Sequence, residues 1–116
     1  MQKIEKWRME ELALILEQLA DLLKRGDNCE WANVFFHFHH ESREIISSKE
    51  LDLNHVKNLL MNIKNCFSSM NSFKNLVLWH ENEEEKMRLN QYSHKTKVHL
   101  LKIMTDIEDR SVEYLS

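Results

Sequence analysis

The sequence predicts an all-α protein, a single domain over residues 1–116 built as a bundle of about four helices. Three observations predict it. One glycine and no proline occur in 116 residues, so the turn residues that a β-rich fold needs are almost lacking. Apolar residues recur at intervals of three and four along most of the chain, the spacing of one helix face. Hydrophobic residues make up 42% and charged residues 30%, a globular composition with enough apolar side chain for one core.

The first helix is expected from Ile4 to Lys24, with Leu12, Ile15, Leu16, Leu19, Leu22 and Leu23 on one stripe. Trp7 and Leu14 lie a heptad apart, off that stripe. Gly26 follows Lys24 and Arg25, as a C′ glycine should, with basic residues facing the negative helix end. Asp27 with Glu30 makes a capping-box pair, so the second helix begins at once and forms an antiparallel hairpin with the first. Its apolar face carries Trp31, Val34, Phe35, Phe38, Ile45 and Ile46. A third helix runs from Asp52, its expected N-cap, to Asn65, with Leu53, Val56, Leu59, Leu60 and Ile63 inward.

The stretch "CFSSMNSFKNLVLWHENEEE", Cys66 to Glu85, does not read as amphipathic helix and is expected to be a short irregular segment. Beyond it, Glu83 to Tyr114 has no breaker and reads as one long helix, with Ser93–His94 its one candidate for an interruption. Leu89, Thr96, Leu100, Ile103, Ile107 and Tyr114 share its stripe, with Tyr92 beside it.

The formal net charge is −3 and the basic residues are scattered, which argues against direct nucleic-acid binding and favours a basic protein surface as partner. Cys29 and Cys66 have neither metal-site nor CxxC spacing, and each is expected to be a buried, reduced thiol, as suits the cytoplasm. The opening "MQKIEKWRMEEL" lacks the apolar core of a signal peptide, and no apolar run nears membrane-spanning length. The expectation is a cytoplasmic protein without membrane contact.

Catalytic chemistry finds little to stand on. In "HFHHE", His37, His40 and Glu44 share the polar face of the second helix. They offer ligands one turn apart without matching an established helical metal pattern, so a solvated face is expected there. His39 sits nearer the apolar stripe and reads as a packed histidine. Cys29 falls in the first turn of a helix, where a thiolate is favoured, but no base or orienting group accompanies it. A single glycine leaves no phosphate-cradling loop. The chain is therefore expected not to be an enzyme, with no catalytic residues, no cofactor and no metal.

A binding surface is the better candidate. Trp79 precedes Glu81, Glu83, Glu84 and Glu85. The acids suit the first turn of a helix electrostatically and also make an acidic contact patch, with the Trp as an aromatic anchor. Asp106, Glu108 and Asp109 form a second acidic group.

The run "SSMNSFKNLVL", Ser68 to Leu78, resembles a family of small helical bacterial proteins. In these, a Met between glycines is followed by Ser-Phe-Asn-Asp-Leu and an apolar pair. A helical hairpin like "LEQLADLLKRGDNCEWANVF" precedes that motif and an Asn- and Leu-containing C-terminal helix follows, and all three parts occur here in order. The match falls on Met70, Ser72, Phe73, Leu76, Val77 and Leu78, with Trp31 as the tryptophan of the hairpin. It departs at Ser68, Ser69 and Asn71, where the family has glycines, and at Lys74–Asn75 in place of Asn-Asp. Asn71 tolerates left-handed geometry, whereas the serines change what the backbone can do.

Several members resemble immunity proteins of bacterial toxin systems, including contact-dependent growth inhibition. The resemblance implies a protein that binds and neutralises a cognate toxin domain, for instance a basic nuclease such as an RNase. The alternative is a homo-oligomeric regulatory or scaffolding bundle, with Trp7, Leu14, Val98 and Leu101 supplying a further apolar face for a homodimer. Within the motif, Ser72 is expected to N-cap a short turn while Phe73, Leu76 and Val77 plug the end of the bundle.

Overall fold

The computed structural model describes residues 4–68, 73 and 76–115, with 111–115 described by their backbone alone. The described residues form four α-helices: α1 (Lys6–Arg25), α2 (Cys29–Ser47), α3 (Leu53–Cys66) and α4 (Glu83–Leu115). The fold is all-α, as the composition requires. α4 runs through Ser93–His94 without interruption. Ser93 is buried on the same stripe as Leu89, Leu100, Ile103 and Ile107, so a small polar residue there marks tight packing rather than a break.

α1 is the central helix and packs along both α2 and α4. Besides its expected stripe it buries Met9, Ala13 and Ala20, because a helix with neighbours on two sides needs a wider apolar arc than a surface helix. α2 returns antiparallel to α1, and His39 cross-ties the pair. Its Nδ1 lies 2.8 Å from the Ala13 carbonyl and its Nε2 3.2 Å from the Glu17 carboxylate, the packed role expected of it. α4 also runs antiparallel to α1, with Arg110 reaching Glu5 at 3.8 Å.

The helix ends show which polar groups fix the chain. Asp52 caps α3 as expected, accepting from the backbone N–H groups of Asn54 at 3.0 Å and His55 at 3.3 Å. The expected Asp27 cap of α2 is corrected by one residue. Asn28 is the N-cap and accepts from the Trp31 N–H at 3.1 Å. Asp27 is occupied otherwise, as the left-handed residue that ends α1, with φ 59°. Its N–H donates to the Lys24 carbonyl and the Asn28 N–H to the Leu23 carbonyl, the paired bonds of a Schellman ending. Gly26 is therefore not the left-handed C′ residue, and its φ is −86°.

Phe73 closes one end of the bundle. This ring is fully buried, with its centroid 4.8 Å from that of Trp31, 4.8 Å from Phe35 and 5.2 Å from Phe67. Lys97 lies over its face at 4.4 Å and donates to the Phe73 carbonyl at 3.2 Å, while burial pulls the Lys97 ammonium below its ordinary pKa. Phe73 is the expected plug, but Val77 is not. Val77 points outward and Leu78 is buried in its place. The expected cap at Ser72, the match at Met70 and the stripe position Tyr114 lie outside the described residues or side chains. The thiols also divide: Cys66 is buried, but Cys29 is exposed, sitting one turn before Ala32, the first buried position of α2.

Candidate functional site

The candidate site begins at residues 76–82, ahead of α4, and backbone hydrogen bonds mount this stretch. Leu76 is half-buried, Val77 exposed, Leu78 buried and Trp79 exposed, so alternate side chains face out. The Leu78 N–H donates to Asn90 Oδ1 at 2.8 Å, and the Leu78 carbonyl accepts from Asn90 Nδ2 at 3.0 Å. One side-chain amide thus plays the part of a neighbouring strand, and its Nδ2 also donates to the Lys86 carbonyl at 2.8 Å. On the other side, the Trp79 N–H donates to the Gly26 carbonyl at 3.1 Å. The shoulder is pinned between the α1–α2 turn and the first turns of α4.

Trp79, Glu81, Glu83 and Glu84 are exposed and Glu85 is half-exposed. Glu83, Glu84 and Glu85 form the first turn of α4, where carboxylates meet the positive end of the helix. Asn82 caps that turn by accepting from the Glu85 N–H at 3.1 Å. Glu81 lies before the helix. Glu85 pairs with Arg88 at 2.9 Å. Glu81, Glu83 and Glu84 make no ion pair among the described residues.

The structure adds two residues to this shoulder. Val77 and Met87 are 68% and 63% exposed, ahead of Trp79 at 55%, and they flank one shallow hollow with Glu83, Lys86, Asn90 and Gln91. Helical phase was the available signal for Met87. With Leu89 inward, a residue two positions earlier is carried about 200° around the helix, to the outside. Val77 had no such signal, because an apolar pair in an irregular segment does not say which member turns in.

The second acidic group stands apart from the first. Glu84 and Asp106 are about 33 Å apart along the α4 axis, at about 1.5 Å rise per residue. Asp106 and Asp109 are exposed, whereas Lys64 Nζ lies 2.7 Å from Glu108 and holds it against α3. On α2, His37 pairs with Glu41 at 2.8 Å and His40 with Glu44 at 3.1 Å. These are separate side-by-side pairs, and no three His, Cys, Asp or Glu side chains among the described residues could hold one metal ion. A groove between α1 and α4, lined by Gln18, Asp21, Leu22, Arg25, Tyr92 and Thr96, mixes charges of both signs. No helix among the described residues is long and apolar enough to cross a membrane. The chain matches no protein-family model, no curated protein and no solved structure.

Proposed function

We propose that this chain is an immunity protein, which binds and neutralises a cognate bacterial toxin domain in the cytoplasm of the cell that makes both. The observation that carries the reading is the shoulder at residues 77–87. Exposed apolar side chains, and carboxylates without an ion pair among the described residues, are held there on a backbone pinned from two sides. Pre-organised aromatic and aliphatic anchors with charged surroundings are how protein interfaces gain affinity and fast association. No reaction is required of such a protein, only a surface complementary to the toxin. The excess of carboxylates over basic residues there suits a basic partner such as a nuclease, whose phosphate-binding surface it would occupy.

Recovery of one basic toxin domain at equal stoichiometry with the tagged protein, from its native host, is the expected result. With that domain in hand, Trp79→Ala is expected to weaken binding by about 2 kcal/mol or more, roughly thirtyfold. Glu83→Lys with Glu84→Lys is expected to slow association and flatten its salt dependence, leaving dissociation less affected. Equal binding by all three proteins in surface plasmon resonance would place the interface elsewhere.

A second reading, a homo-oligomeric regulatory or scaffolding bundle, is favoured by the exposure of Trp7, Leu14, Val98 and Leu101. Sedimentation separates the two, since a concentration-independent monomer removes this one.

A further inference from the structure

The hollow at the entrance to α4 has a volume of about 440 Å³ and is open on its outer side. Its apolar walls are Val77 and Met87, the two most exposed large hydrophobic side chains among the described residues. Apolar residues scattered singly over a surface need no explanation. These two lie on separate elements, the irregular segment and α4, yet border one depression. Val77 is held outward because Leu78 is bonded through both its N–H and its carbonyl to Asn90, and Asn90 itself lines the hollow. The backbone therefore sets the Val77 side of the depression. Met87 supplies an unbranched, polarisable wall that adapts to the shape of what enters.

The charge around it is specific. Glu83 lines the hollow and Glu84 follows it, both without an ion pair among the described residues, while Lys86 is the one cation in the lining. An apolar side chain alone would fill the walls and leave the negative excess of this turn, Glu83 and Glu84 against Lys86, unanswered. A basic segment alone would answer the carboxylates and leave the walls in water.

We propose that this hollow seats an apolar anchor side chain flanked by lysine or arginine, presented by the partner domain. The inference rests on the immunity reading for the identity of that partner, and it names the chemistry of the contacting segment.

The test uses the full chain and a defined probe, the peptide acetyl-Lys-Arg-Leu-Phe-Arg-Lys-amide, followed by NMR on backbone amides and methionine methyls. The expected result is that the largest shifts fall on the Met87 methyl, Val77 and Gln91. A peptide with serine for the Leu-Phe pair, and another with glutamate for the basic residues, are both expected to lose the effect. Val77→Ser and Met87→Ser, at exposed positions that leave the core intact, are each expected to weaken the peptide about fivefold or more. Largest shifts in the groove lined by Gln18, Tyr92 and Thr96, no shifts at millimolar peptide, or equal binding of the serine peptide would each overturn the proposal. The two readings fail separately. A peptide seated at Met87 with no toxin domain recovered keeps the seat and removes the immunity reading. A toxin domain bound equally by Met87→Ser and the parent chain keeps that reading and removes the seat.

Discussion

At Gly26 an added Cβ would lie 2.6 Å from the Leu78 Cβ, while the backbone φ of −86° is open to any residue. The glycine is there for the close approach of the shoulder, and the left-handed turn beside it falls to Asp27. The two demands are separable by substitution. Gly26→Ala is expected to cost about 1–3 kcal/mol, because Leu78 and the segment it anchors must move. Asp27→Gly is expected to stabilise by about 0.5–1 kcal/mol, since relief of the left-handed strain outweighs the extra chain entropy. Urea unfolding midpoints at unchanged slope check both. A fall for Asp27→Gly would mean that the aspartate side chain holds the turn in some other way. Sequence reasoning found the turn and its glycine but gave the glycine the wrong task. The partner that decides it, Leu78, is 52 positions away in the chain and leaves no local signal.

Among the elements, the helices were the legible part, because apolar spacing and caps such as Asp52 are local. The irregular segment was legible only as a plug. Its mounting depends on Asn90, whose amide bonds both polar groups of Leu78, and an Asn on a helix surface looks the same in sequence whether or not it has such a partner. Asn90→Ala is expected to destabilise the protein by about 1–3 kcal/mol through the unpaired Leu78 N–H. Native-state hydrogen exchange is expected to speed up at the Leu78 and Trp79 amides before it does so in α1. Uniform acceleration across the molecule would instead show that the shoulder and the bundle open as one unit. The candidate site follows the same division. Trp79 and the glutamates were visible as residue types, whereas the pairing of Val77 with Met87 exists only after the chain turns between residues 78 and 83.

The molecule measures 51 × 27 × 21 Å, and its long dimension matches α4, whose 33 residues rise about 50 Å. That helix carries the glutamate shoulder near its start and Asp106 and Asp109 toward its end, so a small partner meets one acidic group or the other. It is also the last of the four described helices to be made. Until it emerges from the ribosome, the face of α1 that α4 covers stays wet, and Leu78 lacks the amide that holds it. Nascent chains stalled before Glu83 are expected to be cut readily by protease, and chains released with α4 complete to resist. An equally resistant stalled chain would show that α1–α3 fold alone. Where the stalled chains are cut, the order of synthesis acts as a quality gate, since a copy broken off early presents neither a sealed core nor the shoulder.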